Sequence, residues 1–144
     1  MHHFHWRYPA LRWFFRSCRV IPIAPRKEAP EVLDRALEAI DDALAQGELV
    51  LLFPEGNMTP DGELQVFRPG VERIVSRRPV PVVPVALRGL WGSFFSRFGG
   101  EPMKKMPRRF WAKVEVVADA PIAPQNVSTE LIAERIGELR GAVC

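Results

Sequence analysis

The feature that most restricts the fold of this chain is an unbroken apolar run, residues 48–53 (ELVLLF), which directly follows a helical pattern. Apolar residues recur at helical spacing over residues 31–46, and Gly47 is the type of residue that commonly ends a helix. A short continuous apolar run is typical of a strand that lies in a sheet covered by helices on both faces. The pair therefore predicts an α/β layered fold rather than a helical bundle.

Further strands and helices are predicted on both sides of this pair. Three short stretches have the apolar, β-branched composition of strands: residues 19–23, 80–87 and 113–118. Three others have the spacing of apolar residues that indicates helices: residues 9–18, 70–77 and 128–141, the last with Ser128 as its cap. We expect the four strands to share one mixed sheet, with the helices of residues 31–46 and 128–141 packed on it.

The length of 144 residues predicts a single domain, since two independent cores would be a tight fit. No apolar run approaches the roughly 18 residues of a membrane-spanning helix. The first residues carry arginine and histidine where a signal peptide has an apolar core. The two cysteines are too few for a disulfide scaffold, and Cys18 is expected to be a buried thiol. These features favour a cytoplasmic protein.

Cations and aromatic rings are concentrated in two segments. Residues 1–27 hold six lysines and arginines and no carboxylate, and residues 88–113 hold seven against one glutamate. This mixture fits an anionic membrane surface, but it also fits an aromatic core with a solvated basic rim. Binding of single-stranded nucleic acid is the least favoured of the three interpretations. On the membrane interpretation, four rings should form an exposed apolar patch with a basic rim: Trp91, Phe94, Phe95 and Phe98.

A candidate binding site follows the apolar run. Pro54 fixes the exit of the chain, and Glu55 stands at the strand end where open α/β sheets place their ligands. Gly56 lets a ligand approach the backbone closely, and Arg68 offers a guanidinium group that suits a phosphate. Spacing alone favours an ordinary strand–turn–helix connection with incidental charges over a binding site.

Four blocks of the sequence resemble the phospholipid/glycerol acyltransferases, the family of lysophosphatidic acid acyltransferases. Residues 53–56 (FPEG) are similar to the third block of that family, and residues 67–70 (FRPG) to the Phe-Lys-x-Gly that follows it. Residues 80–87 resemble the fourth block, while residues 20–23 (VIPI) with Arg26 resemble the second. Three stretches most resemble the bacterial branch that reacylates 2-acyl-glycerophosphoethanolamine: residues 21–25 (IPIAP), 61–64 (DGEL) and 87–95 (LRGLWGSFF).

This resemblance implies a transferase that moves a fatty acyl group from a coenzyme A or acyl-carrier-protein thioester to a hydroxyl of a lysophospholipid or glycerol phosphate. The thioester is a co-substrate, and neither a cofactor nor a metal is expected. The protein would sit peripherally at the inner face of the cell membrane. The family's phosphate-binding role falls to Glu55, Gly56 and Arg68 with Pro54, and more loosely to Arg26, which lies one position later than the family's arginine.

Two departures from the family pattern bear on activity. Asn57-Met58 stands where the third block has Thr-Arg. The family's His-x-x-x-x-Asp motif, whose histidine is the base, does not occur in residues 1–144, where the histidines are His2, His3 and His5. We therefore predict no catalytic residue here and expect the back portion of an acyltransferase domain, with exposed apolar sheet faces that favour poor solubility or pairing of two copies. The alternative is a non-catalytic lipid- or anion-binding module at the membrane surface.

Overall fold

A computed structural model of the chain describes residues 17–23, 29–57, 59–92, 96–97 and 113–141. The chain divides into two compact units, Met1–Val50 and Leu51–Cys144. Compactness does not show whether each unit folds alone, so the single domain stays a prediction. The helix expected over residues 9–18 lies almost wholly outside the described residues, and Arg26 lies outside them entirely.

The first unit contains helix α1, Pro30–Ala45, which confirms the amphipathic pattern to within one residue at each end. Its buried face is made of Ala36, Leu37 and Ile40. Gly47, with φ +76°, ends the helix because the Gly47 N–H donates to the Leu44 carbonyl at 3.1 Å and the Glu48 N–H donates to the Ala43 carbonyl at 2.9 Å. Cys18, expected to be buried, is exposed.

In its described residues, the second unit contains two further α-helices, one 3-10 helix at Pro124–Asn126 and a two-stranded sheet. In chain order the α-helices and strands are α2 (Gly70–Arg77), β1 (Val85–Arg88), β2 (Glu115–Ala118) and α3 (Thr129–Arg140). The strands pair antiparallel with Leu87 opposite Val116, and an isolated bridge joins Val82 to Ile122. Helix α3 packs on both strands. No helix in the described ranges combines the length and the apolar character needed to cross a membrane.

The core of the second unit also orients the candidate site. Phe67, Ile122 and Ile132 are its buried centre. Because successive side chains of an extended chain point to opposite sides, the buried Phe67 leaves its neighbours Val66 and Arg68 exposed. The apolar anchor therefore directs the Arg68 side chain to the surface.

The sheet is smaller than the sequence predicts. In place of a mixed sheet of four strands, the described residues pair only β1 with β2, and residues 19–23 and 48–53 form no ladder among them. Leu49, Leu51 and Phe53 are 91%, 69% and 67% exposed. An apolar run becomes a strand only when a neighbouring strand takes up its N–H and C=O groups, which the pattern of one segment cannot guarantee.

A carboxylate of α2 holds the first residue of α3. Glu72 Oε1 accepts hydrogen bonds from the Thr129 hydroxyl and from the Thr129 N–H, each at 2.6 Å. Ser128 caps the same helix, as predicted, by accepting from the Leu131 N–H at 3.1 Å. The hydroxyl and then the backbone hydrogen bond lower the pKa of Glu72 below its ordinary value of 4.5. The ionised carboxylate is therefore the form that stabilises this junction.

Acid is expected to weaken the second unit partly through Glu72. Because the folded-state pKa is lowered, this stabilisation is fully present above the ordinary pKa and is lost as the pH falls through the folded-state value. Glu72→Gln should keep an acceptor oxygen and flatten that part of the pH dependence. Urea unfolding between about pH 6 and about pH 3 measures it, with Glu134→Gln on the exposed side of α3 as the control. An equal acid loss in native and Glu72→Gln chains would contradict the assignment.

Candidate functional site

The segment from Pro54 to Arg68 forms a loop that is closed at its base. The Arg68 N–H donates to the Pro54 carbonyl at 3.0 Å, and the Gly56 N–H donates to the Phe53 carbonyl at 3.1 Å. Gly56 has φ +69°, a left-handed conformation that other residues adopt only at a cost. The proline–glutamate–glycine sequence therefore makes a tight turn directly after residue 53.

The Arg68 guanidinium lies over Gly56. A Cβ built on Gly56 would stand 3.2 Å from Arg68 Nε and 3.3 Å from Cζ, so a larger residue here would crowd the guanidinium. The Arg68 side chain is exposed. In the part of the chain that the structure describes, it makes no ion pair. The Arg68 guanidinium, which has no acidic partner among the described residues, thus lies next to the backbone of a glycine.

The Glu55 carboxylate is bound by the opposite side of the same loop. Its Oε2 accepts a hydrogen bond from the Gln65 N–H at 2.9 Å, and the side chain is half-buried. The structure thus brings together Pro54, Glu55, Gly56 and Arg68, as the sequence predicted. Their binding role stays a prediction, and no three His, Cys, Asp or Glu side chains of the described ranges are grouped as metal ligands.

A hydrogen-bonded turn that the sequence analysis did not assign to the site lies between Glu55 and Arg68. Thr59 Oγ1 donates to Asp61 Oδ1 at 2.8 Å and accepts from the Gly62 N–H at 3.0 Å. Asp61 Oδ1 also accepts from the Glu63 N–H at 3.0 Å. These bonds, first that from Glu63 and then that from Thr59, lower the pKa of Asp61. The available signal was the turn at residues 60–62 with a hydroxyl and a carboxylate two residues apart.

The indole of Trp91 lies on that turn. A Cβ built on Gly62 would stand 2.7 Å from Trp91 Cε2, and Gly62 has φ +89°. Trp91 is half-buried, so this ring is neither the fully exposed patch residue nor the core residue that composition suggested. Phe94, Phe95 and Phe98 lie outside the described residues, and the aromatic patch stays a prediction.

Replacing Gly62 by alanine should destabilise the chain more than replacing Gly92. Both glycines have positive φ, +89° and +80°, so both alanines carry backbone strain of about 1–2 kcal/mol. A Cβ on Gly92 would meet none of the described residues within 4 Å, whereas one on Gly62 would meet the Trp91 ring. Overpacking adds about 1–3 kcal/mol at Gly62. Urea unfolding measures both free energies, and equal losses would contradict the Trp91 contact.

A separate cavity of about 430 Å³ lies in the first unit. It is lined by Arg19, Val20, Ile21, Pro22 and, on α1, by Val32, Arg35, Ala36 and Ala39. Arg19 forms an ion pair with Glu48. None of the lining residues belongs to the loop from Pro54 to Arg68.

Comparisons with known proteins identify the family of this chain. Residues 1–88 match the model of the Acyltransferase family. A chloroplastic 1-acyl-sn-glycerol-3-phosphate acyltransferase of Brassica napus is 33% identical over 84 residues, which are 56% of this chain and 23% of that protein. A probable 1-acyl-sn-glycerol-3-phosphate acyltransferase of Mycoplasma pneumoniae is 25% identical over 116 residues, 79% of this chain and 43% of that protein.

The fold is similar to that of a solved acyltransferase. The crystal structure of the 1-acyl-sn-glycerophosphate acyltransferase of Thermotoga maritima matches with a TM-score of 0.61 and 23% identity, over 92% of this chain and 50% of that one. The match confirms the predicted α/β acyltransferase fold class. This chain spans half or less of the length of each of these proteins.

Proposed function

Because this chain belongs to the acyltransferase family, we propose that it carries the phosphate-binding part of an enzyme that transfers a fatty acyl group to a hydroxyl of a lysophospholipid or glycerol phosphate. The observation that carries the proposal is the exposed Arg68 guanidinium, which lies over the bare backbone of Gly56. The names of the relatives, 1-acyl-sn-glycerol-3-phosphate acyltransferases, support the acceptor class.

The proposed division of labour in the site follows from its geometry. Arg68 donates two parallel hydrogen bonds to the acceptor's phosphate, a pairing that a planar guanidinium favours. Gly56 lets a phosphate oxygen approach the main chain, because no Cβ blocks the space beside the cation. Glu55 and Pro54 hold the two sides of the loop together, by accepting hydrogen bonds from the N–H groups of Gln65 and Arg68. The binding role of Arg26, which lies outside the described residues, stays a prediction from the family resemblance.

The acyl donor and the cellular location are parts of the same proposal. The donor is a coenzyme A or acyl-carrier-protein thioester, as family membership favours, and the reaction needs no bound cofactor. The protein works as a peripheral protein at the inner face of the cell membrane. The support is the seven cations and six large aromatic residues within residues 88–113, a mixture that suits an anionic lipid surface.

A second candidate function is a lipid- or anion-binding module without catalysis. The observation that favours it is the absence of a His-x-x-x-x-Asp motif from residues 1–144. Both candidates use the same phosphate chemistry at Arg68, so they differ in turnover and not in the ligand that the site holds.

The proposal is tested by the binding of glycerol 3-phosphate to residues 1–144, measured by calorimetry, with glycerol as the uncharged control. We expect saturable binding of the phosphate ester alone, weakened by added salt because the exposed guanidinium attracts the ligand through its charge. Equal heats for the two ligands, or no saturable heat for either, would contradict a phosphate site.

A further inference from the structure

The site contains a competitor for its own ligand. Glu55 is adjacent in sequence to Gly56, and the Arg68 guanidinium lies within 3.4 Å of a Cβ built on that glycine. A carboxylate that reaches a guanidinium pairs with it and so competes with a phosphate for the same N–H groups. Yet no ion pair joins Glu55 and Arg68, although the structure describes both residues.

The Glu55 carboxylate is instead engaged on the other side of the loop. Its Oε2 accepts from the Gln65 N–H at 2.9 Å, across ten positions in the chain. This hydrogen bond requires that the Gln65 N–H points toward the Glu55 carboxylate and lies within hydrogen-bonding distance of it. The groups that hold the backbone at Gln65 therefore determine where the Glu55 carboxylate lies.

Thr59 and Asp61 fix it. Their side chains bond to each other and accept from the N–H groups of Gly62 and Glu63 at 3.0 Å each. The Gln65 side chain adds longer contacts, with Nε2 at 3.4 Å from Asp61 Oδ1 and 3.3 Å from the Glu63 carbonyl. The Trp91 indole covers the turn at Gly62 from outside. The turn that precedes Gln65 is thus held by hydrogen bonds between its own residues and by the Trp91 ring that packs on it.

We propose that Thr59 and Asp61 are positioning residues, which keep the Glu55 carboxylate on the Gln65 N–H and thereby leave the Arg68 guanidinium free for the acceptor's phosphate. This inference rests on the proposed function, since it assumes that Arg68 binds phosphate. The lowered pKa of Asp61 agrees with it, because the ionised side chain accepts these bonds at neutral pH.

The inference is tested by the affinity for glycerol 3-phosphate in full chains. Asp61→Ala should weaken binding about two- to fivefold, the range that an exposed ion pair between Glu55 and Arg68 accounts for. Asp61→Asn keeps the Oδ1 acceptor and should bind like the native chain. The double variant Asp61→Ala/Glu55→Gln should bind more tightly than Asp61→Ala, because a neutral amide does not form an ion pair with Arg68. Asp34→Ala, on the exposed face of α1, is the control for a lost carboxylate.

Two further measurements separate positioning from simple loss of structure. Thr59→Val removes the hydroxyl at nearly constant volume and should reproduce the Asp61→Ala result. Hydrogen exchange at the Gln65 amide should be slow in the native chain and faster in both variants, while urea unfolding reports global stability.

The outcomes distinguish this inference from the proposed function. If the native chain does not bind glycerol 3-phosphate, the proposed function fails. If it binds, and Asp61→Ala and Thr59→Val bind equally well, only the positioning role is overturned. Weak binding by Asp61→Ala that Glu55→Gln does not restore would overturn the competition between carboxylate and phosphate. A rapidly exchanging Gln65 amide in the native chain would overturn it as well.

Discussion

Replacing Arg68 by glutamine is expected to lower the affinity for glycerol 3-phosphate by roughly ten- to a hundredfold. Hydrogen bonds between charged groups contribute about 1.5–3 kcal/mol, and glutamine keeps one donor but neither the charge nor the planar fork. The fold should survive, because the Arg68 side chain is exposed and the neighbouring Phe67 supplies the core contacts. Calorimetry or chemical-shift titration with the phosphate ester measures the loss.

Arg73→Gln is the matched control for this substitution. Arg73 is an exposed arginine on α2, so its replacement changes the net charge equally without touching the loop. We expect a change of less than about twofold, the size of a screened long-range effect. If the two variants lose affinity equally, the interaction is a diffuse attraction to a basic protein, and Arg68 has no special position in it.

The second large effect concerns catalysis. Residues 1–144 alone should transfer acyl groups at least about 10²–10⁴-fold more slowly than a related chain that carries a His-x-x-x-x-Asp motif, since that is the usual contribution of a positioned base. Attack of an alcohol on a thioester requires removal of the hydroxyl proton as the bond forms. The histidines of this sequence, His2, His3 and His5, have no aspartate five positions onward.

Turnover is measured with lysophospholipid or glycerol 3-phosphate and with both acyl-coenzyme A and acyl-carrier-protein thioesters. A rate comparable to that of the motif-bearing chain would refute the prediction and would direct a search for another base. Phosphate-ester binding without turnover is the expected result. It agrees with either proposed function, and activity gained by supplying the motif would then favour the enzyme over the binding module.

The helices were predictable because their determinants are local. Periodicity and end signals act within about four residues, so α1, α2 and α3 begin and end within one residue of the predicted bounds. Gly47 and Ser128 make the end contacts that their residue types favour. The family assignment likewise depended on a few short motifs, which the sequence displays directly.

Only the tertiary structure decided which residues meet across long separations. Glu72 bonds to Thr129 across 57 positions, and the Trp91 ring lies on Gly62, although no local pattern marks either pair. The sequence of residues 48–53 does not indicate whether another strand pairs with this apolar run. No partner strand is found among the described residues.

The properties of the candidate site likewise come partly from its residue types and partly from the tertiary structure. The types of Glu55, Gly56 and Arg68 indicated phosphate chemistry, but the state of the site depends on where each charge is held. A carboxylate beside a guanidinium neutralises it or leaves it free according to a third group, here the Gln65 N–H. That N–H is placed by the turn at Thr59 and Asp61. Residue types therefore determine which interactions are chemically available, and packing selects among them, because each donor and acceptor can satisfy only a few partners at once.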